Sequence, residues 1–259
     1  MTTANATRNV VVSLLFFVVG ITAAAAGEAH IYLAPYGFAS RFTGDGQVSG
    51  NSSGTRFDLQ DTLGIDPKDT MYGVDGFFKF LGSRIDFGYN KGSYQGSERL
   101  SSPLVFNNGT YSPGERVRSD IDFTHYRLMY GFDFGLKVVN VGFLIGGHLV
   151  DADATVKSSL SGREHDTLRA PVPAVGVTLG VHPISQLAIH AQVSGMSVTI
   201  SNIKAKLIDG FAGVHYFPIP RLGVMVGYRY LLVDAEDKDK QDKVNIRQRG
   251  PYAGIALHL

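Results

Sequence analysis

The sequence predicts an all-β protein, a transmembrane antiparallel up-and-down β-barrel of about ten strands, with about eight or twelve as alternatives. Three observations lead to this fold class. Apolar and polar residues alternate along most of the chain after residue 26. The connections between the alternating segments are short and long in turn, and the N-terminal residues have the pattern of a secretory signal.

The alternation is clearest from residue 126 to residue 134, where every second residue is apolar: Tyr126, Leu128, Tyr130, Phe132 and Phe134. Apart from Met129, polar or very small residues occupy the positions between them. Because successive side chains of a strand point to opposite faces, such a segment has one apolar and one polar face. Its length matches a tilted membrane-crossing strand of roughly 9–11 residues.

The same pattern recurs in ten segments. The predicted strands are 31–42, 70–80, 84–95, 118–134, 138–151, 167–181, 186–199, 203–217, 221–235 and 244–259. Short turns lie near 81–83, 135–137, 182–185 and 218–220, and longer polar segments are 43–69, 96–117, 152–166 and 236–243; the short link at 201–202 is the exception. Short turns at one end and long loops at the other are typical of outer-membrane barrels. A soluble β-sandwich also alternates, but its strands are shorter, about 5–6 residues.

The N-terminus predicts export. Arg8 precedes an apolar run from Val10 to Gly20, and four alanines follow at residues 23–26. A positive residue, a short apolar core and small residues form the order of a secretory signal. The apolar core is shorter than the roughly 20 residues that a transmembrane helix needs. We therefore expect a signal peptide at residues 1–26, with cleavage after Ala29 as the alternative, and one barrel domain at residues 27–259.

Composition excludes several kinds of protein. The formal net charge is +1, which argues against a general nucleic-acid binder with its basic field. The chain has no Cys, so it has no disulfide framework, thiolate metal site or Cys nucleophile. We predict no cofactor and no nucleic-acid partner.

Several features together resemble the small outer-membrane β-barrel proteins of Gram-negative bacteria. They are the signal-like N-terminus, aromatic-Gly-aromatic strands such as Tyr130-Gly131-Phe132, and the apolar C-terminal strand 255–259. The resemblance implies a location in the cell outer membrane, and outer-membrane lipid, lipopolysaccharide and the barrel-insertion machinery as partners. The last residue in that family is usually aromatic, whereas here it is Leu259.

The polar faces place a balanced set of charges in the expected lumen. Its members are Asp75, Lys79, Arg84, Asp86, Arg127, Asp133, Asp209 and Arg229. Unpaired charges in a narrow interior are costly, so we expect these residues to pair. A ten-stranded barrel is only slightly wider than the eight-stranded kind that side chains fill. The sequence therefore predicts a largely plugged, charge-balanced lumen.

Histidines also fall on or near the lumen faces: His125, His148, His190, His215 and His258. A metal or proton site is one interpretation of this set. We favour the other, in which neutral His is a polar filler of medium size, because the residues come from different strands. We predict no metal site.

Catalytic patterns are weak in this sequence. His190 and Ser194 share one face of a strand but lie roughly 13 Å apart, too far for a hydrogen bond. Asp151, Asp153 and His165 flank one loop, as acidic residues and a His do in a membrane protease, but such residues are ordinary in polar loops. We predict no catalytic residue and no enzyme activity.

One predicted loop, 43–69, has an apolar side formed by Phe57, Leu59, Leu63 and Ile65. We favour a lid over the barrel mouth or a strand extension, with contact to a surface partner as the alternative. The function predicted from the sequence is that of a structural or surface-interaction barrel. The alternatives are a narrow channel for small solutes and a membrane-embedded lipid hydrolase.

Overall fold

The computed structural model describes residues 30–51, 53–80, 82–135, 138–200, 202–239 and 241–259. The predicted signal peptide lies outside these residues. Among the residues that the structure describes, no helix has the length and hydropathy that a membrane crossing requires. The strands are β1 His30–Gln47, β2 Arg56–Asp58, β3 Lys68–Phe80, β4 Ser83–Arg99, β5 Leu104–Phe106, β6 Gly109–Tyr111, β7 Arg116–Gly135, β8 Val139–Ser158, β9 Gly162–Ile184, β10 Leu187–Ile200, β11 Ile203–Ile219, β12 Leu222–Asp237 and β13 Asp242–His258.

Ten long antiparallel strands form one closed sheet. Neighbours follow the chain from β13 back to β7, then β4, β3 and β1, and β13 pairs with β1 to close the barrel. The closing pair is in register from Tyr32 opposite His258 to Gln47 opposite Lys243. Closure removes the free sheet edges. The predicted fold class and the predicted number of strands are confirmed.

The strands at the long-loop end are longer than the sequence indicated. The predicted loop 152–166 is mostly strand, because β8 and β9 stay paired up to Ser158 opposite Gly162. Gly162 has a φ of 84°, a left-handed conformation that favours glycine, so the turn can be very tight. The predicted polar loop 96–117 also contains strand β5 paired with β6, and the ladder between β4 and β7 extends to Arg99 opposite Arg116.

The two faces of each strand differ as the alternation predicts. On β7, Leu128 is 63% exposed on the outer wall, whereas its neighbour Arg127 is 3% exposed on the inner wall. The outward positions of β12 are likewise apolar or Tyr from Leu222 to Leu232. An apolar outer band with a polar interior is the arrangement that a lipid-facing barrel requires.

Above the charged residues of the lumen, toward the long loops, lies an apolar layer of buried side chains. Its members are Phe38, Phe42, Met71, Tyr94, Phe123 and Leu207. The Phe42 ring stacks on Tyr94 with centroids 4.1 Å apart, and Phe123 lies 6.1 Å from Phe42. The Tyr94 hydroxyl donates to Ser40 Oγ at 3.0 Å, so the polar end of that ring has a partner.

The loop 43–69 covers this layer. Phe57, Leu59, Leu63 and Ile65 are each at most 6% exposed. Gln60 Nε2 donates to the carbonyl of Phe42 at 3.2 Å, which attaches the loop to β1. The apolar side of the loop therefore faces inward, as a lid or strand extension requires.

The loop between β4 and β7 is held to the tip of the β8–β9 hairpin by Glu115. Its carboxylate accepts hydrogen bonds from the Ser112 amide at 2.9 Å and from the Ser161 amide at 3.1 Å. Hydrogen bonds from Ser158, Ser112 and Ser161 hold the pKa of Glu115 below its usual range, because they favour the ionised carboxylate.

Candidate functional site

The structure places all eight predicted charged residues on the inner wall of the barrel. Arg84, Asp86, Arg127, Asp209 and Arg229 are buried, and Asp75, Lys79 and Asp133 are partly buried. They come from five strands, each of which contributes one or two of them at its inward-facing positions. We call this set the lumen charge network.

Arg127 lies at the centre of the network. Its Nη2 is 2.8 Å from Asp75, its Nε is 3.0 Å from Asp86, and its Nη1 is 2.8 Å from Asp209. A planar guanidinium offers donors in several fixed directions, so one Arg can bind three carboxylates on three strands. Glycine at position 88 provides the space for these contacts, because a Cβ there would lie 2.7 Å from Asp75 Oδ1 and 3.0 Å from the Arg127 guanidinium carbon.

Arg229 joins two of the same carboxylates from the other side. Its Nη1 donates to Asp75 at 2.7 Å and to the Tyr36 hydroxyl at 2.5 Å, and its Nη2 lies 3.4 Å from Asp209. Arg127 and Arg229 both lie over the Phe211 ring, at 5.2 Å each from its centroid. The two like charges are therefore separated by Asp75, Asp209 and an aromatic face.

The network continues toward the short turns. Arg84 Nη2 donates to Asp86 at 2.6 Å, and its Nη1 lies 3.7 Å from Asp133, which also pairs with Lys79. Arg84 lies 4.3 Å from the centroid of Phe77. Every one of the eight residues thus has an oppositely charged partner, and the pairs link into one continuous network.

Two of the predicted histidines lie together beside the network. His125 Nε2 and His148 Nδ1 are 2.9 Å apart, and the rings stack with an interplanar angle of 4°. Asn90 Nδ2 lies 3.3 Å from His125 Nδ1, and Ser194 Oγ lies 3.1 Å from His148 Nε2. The result is a buried polar chain from β4 to β10.

The other two predicted lumen histidines lie nearer the short turns. His190 and His215 have ring centroids 6.0 Å apart, and the Tyr32 hydroxyl lies 3.1 Å from His215 Nδ1. His258 is exposed, with its ring 5.3 Å from Tyr32. These residues border a cavity of about 350 Å³ that also reaches the turn residues Ser185 and Pro218.

One group of potential metal ligands lies in the described part of the chain. Donor atoms of His125, His148 and Asp209 lie within 4.8 Å of one another. Asp209, however, accepts from both Arg127 and Arg229. Two guanidinium groups beside the carboxylate oppose the binding of a divalent cation. The donor set does not fit a metal site.

The comparison with solved structures identifies the fold. The chain is similar to the outer membrane protease OmpT of Escherichia coli, with a TM-score of 0.53, 10% identity, and coverage of 89% of this chain and 97% of that one. The chain has the fold of an outer-membrane β-barrel. The predicted resemblance to the small Gram-negative barrels and the predicted outer-membrane location agree with it.

Another similar barrel is Neisserial surface protein A, with a TM-score of 0.31, 13% identity, and coverage of 88% of this chain and 96% of that one. A third is Ail, the attachment invasion locus protein of Yersinia pestis, with a TM-score of 0.34, 12% identity, and coverage of 90% of this chain and 100% of that one. No family model and no curated protein matches the chain. These similarities concern the fold alone. A function must therefore be inferred from the side chains of the barrel.

The residues that sequence analysis weighed for catalysis occupy two different places. His190 and Ser194 do not meet; instead Ser194 lies against His148, a contact between strands that the spacing along one strand could not reveal. Asp153 and His165 lie on the exposed outer wall above the apolar band, 3.8 Å apart, and Thr167 donates to Asp153 at 2.6 Å. Of these residues, His190 borders the cavity of about 350 Å³ described above.

Several polar residues of the inner wall were not among the predicted site residues, including Tyr36, Asn90, Gln192 and Ser194. All four lie at the inward-facing positions of their strands, so the alternation along the sequence was the signal that could have identified them. Gln192 Nε2 donates to Asp86 at 3.1 Å, and Tyr36 accepts from Arg229. Gln192 and Tyr36 thus add hydrogen bonds to the charged residues, whereas Asn90 and Ser194 contact His125 and His148.

Proposed function

We propose that this chain is an outer-membrane barrel that acts as a structural or surface-interaction protein, with a plugged lumen. The observation that carries the proposal is the filling of the lumen at two successive levels. The lumen charge network occupies one level, and the apolar layer occupies the next level toward the long loops. In barrels of this kind the short turns face the periplasm and the long loops face outside.

Both levels resist the passage of a solute. Displacing Arg127 would separate it from Asp75, Asp86 and Asp209. Breaking a buried ion pair by removing one partner costs about 3–5 kcal/mol. Displacing Phe42 would remove its ring contacts with Tyr94 and Phe123. A path through the barrel needs both changes at once.

Conductance in a planar bilayer tests the plugged lumen. The unmodified barrel should insert without conductance steps under voltage, as should Arg127→Gly or Phe42→Gly alone. The double variant Arg127→Gly with Phe42→Gly should give steps, because it truncates both levels. A difference in gel mobility between unheated and boiled samples verifies that each variant folds as a barrel.

Steps of one defined size from the unmodified protein would overturn the plugged lumen. They would favour the alternative function, a narrow channel for small solutes. An absence of conductance steps for all four proteins, each still showing the difference in gel mobility, would mean that truncation does not open a path. The charge network and the apolar layer would then not be the barrier.

We also propose that the barrel has no catalytic activity. The pair formed by Ser194 and His148 is the contact that a hydrolase would need, but the two residues are 2% and 3% exposed. Neither faces the lipid, because both belong to the inner wall. Release of fatty acid from purified outer membranes, compared between the unmodified protein and His148→Ala, tests this. Release that depends on His148 would support a lipid hydrolase instead.

The proposed partners are outer-membrane lipid, lipopolysaccharide and the barrel-insertion machinery. A surface partner at loop 43–69 remains part of the proposal, but it would meet polar residues such as Asn51 and Asp61. The apolar side chains Phe57, Leu59 and Ile65 are buried and therefore not available to it.

A further inference from the structure

Three cations lie side by side on the outer wall at the long-loop end of the barrel. Arg41 on β1 is directly opposite Arg249 on β13, and on its other side it is directly opposite Lys68 on β3. All three are exposed. Neighbouring strands lie about 4.7–4.9 Å apart, so the three side chains start within about 10 Å of one another.

This arrangement is unfavourable without an anion. Like charges directly opposite each other on neighbouring strands are destabilising. Among the described residues, no carboxylate forms an ion pair with Arg41, Lys68 or Arg249. Asp69 borders the same region, but its carboxylate accepts the Thr70 amide at 2.7 Å.

A groove begins directly below the three cations. It has a volume of about 650 Å³ and an open side, and its wall includes Ala39, Thr70, Pro251 and Tyr228. Small residues continue down the wall, where Gly37 is opposite Ala253. A Cβ added to Gly37 would meet no atom within 4 Å, so the wall is open there.

The groove lies at the boundary between the apolar band and the polar rim. Tyr228 and Tyr72 flank it on the outer wall, 52% and 70% exposed. Exposed aromatic residues mark the headgroup level on both sides of a membrane barrel. Cations just above that level lie where lipid phosphates lie, and a groove below it faces acyl chains.

We propose that Arg41, Lys68 and Arg249 bind the phosphates of one lipid A molecule of the outer leaflet, and that the groove below holds one of its acyl chains. The proposal rests on the outer-membrane location proposed above. Lipid A fits better than a lipid with one phosphate, because three cations spread over about 10 Å can contact two phosphates.

Native mass spectrometry of the full folded barrel in detergent tests the site. The probes are bis-phosphorylated lipid A, phosphatidylglycerol and phosphatidylcholine at equal concentration. The barrel should retain lipid A, phosphatidylglycerol less, and phosphatidylcholine least. The double variant Arg41→Gln with Arg249→Gln should lower the retained fraction of lipid A at least tenfold.

The chain offers matched controls for both halves of the site. Arg163→Gln with Arg169→Gln removes two exposed cations on the far wall, on β9, and should leave retention unchanged. Gly37→Leu fills the groove and should lower retention several-fold. Gly210→Leu adds the same side chain on β11, where a Cβ meets its nearest atom at 3.6 Å, and should leave retention unchanged.

Two results would overturn the site: equal retention of lipid A and phosphatidylcholine, or unchanged retention in the Arg41→Gln, Arg249→Gln variant. Equal retention of phosphatidylglycerol and lipid A would overturn the choice of lipid A. Each of these results is valid only if unheated and boiled samples of the protein differ in gel mobility, because that difference shows that the barrel is folded. Loss of that mobility difference in the unmodified protein would contradict the proposed membrane location instead.

Discussion

Around Arg127 the lumen is filled by ion pairs and hydrogen bonds of fixed direction, whereas around Phe42 it is filled by rings that meet through contacts without fixed direction. The two regions are neighbours in one barrel. A charged group needs its partner at the correct distance and angle, while an apolar side chain needs only a matching volume. The charge network should therefore depend on chemical identity, and the apolar layer on size.

The largest effect is expected for Arg127→Met, which leaves Asp75, Asp86 and Asp209 short of a cation. Removal of one partner of a buried ion pair costs about 3–5 kcal/mol. Urea unfolding of the barrel in lipid vesicles measures this loss. The control Arg163→Met lies on the exposed wall, on β9, and should change stability by less than about 0.5 kcal/mol. Equal losses in the two variants would contradict the special role of the buried Arg.

A smaller loss is expected for Arg127→Lys. The positive charge is kept, but an ammonium group cannot reach three carboxylates in the geometry of the guanidinium fork. A buried polar group left without its hydrogen bond costs about 1–3 kcal/mol. The same unfolding measurement applies, and a variant as stable as the unmodified protein would show that charge alone holds the network.

A still smaller effect is expected for Met71→Leu in the apolar layer. Met71 is 0% exposed, but the exchange conserves volume and apolar character. Such exchanges usually cost less than about 1.5 kcal/mol. If Met71→Leu destabilised the barrel more than Arg127→Lys, the distinction between the two regions would be wrong.

The smallest effect concerns Glu115, which lies outside both regions. Its hydrogen bonds with Ser112 and Ser161 favour the ionised form, so its pKa is lower in the folded protein than the usual value of about 4.3. The contribution to stability is therefore complete above that value and is lost as pH falls through the folded pKa. The protection factor of the Ser161 amide, which compares its exchange rate with the intrinsic rate at the same pH, should fall at low pH in the unmodified protein and should be low at all pH values in Glu115→Gln. A protection factor independent of pH in the unmodified protein would contradict this.

Alternation along the sequence could place the eight charges on the lumen side, because inward and outward positions of a strand follow from parity alone. It could not pair them. Arg127 and Asp209 are 82 residues apart and meet only because the barrel closes with one particular stagger. The contact between His125 and His148 was easier to predict, since both lie on neighbouring strands β7 and β8, whose register includes Gly135 opposite Asn140.

The loops show the other limit of sequence-based prediction. Phe57, Leu63 and Ile65 stand out in a polar segment, and a lid could be predicted from them. The polar segment 96–117 contains Leu104, Phe106 and Tyr111, which are also buried, yet no regular spacing marks them. Their burial depends on contacts such as that of Phe106 with Phe57, which lies in another loop.

The seam between β1 and β13 has a consequence for the order of events during assembly. Ile31 and Leu259 exchange two backbone hydrogen bonds, of 3.1 Å and 2.8 Å, although nearly the whole chain separates them. Pairings between residues so distant in sequence form slowly. Since β13 follows every other barrel strand in the chain, β1 waits for its partner until synthesis and export have delivered all ten strands. Until then two strand edges remain unpaired and can pair with wrong partners. During this interval an insertion factor can protect the two edges.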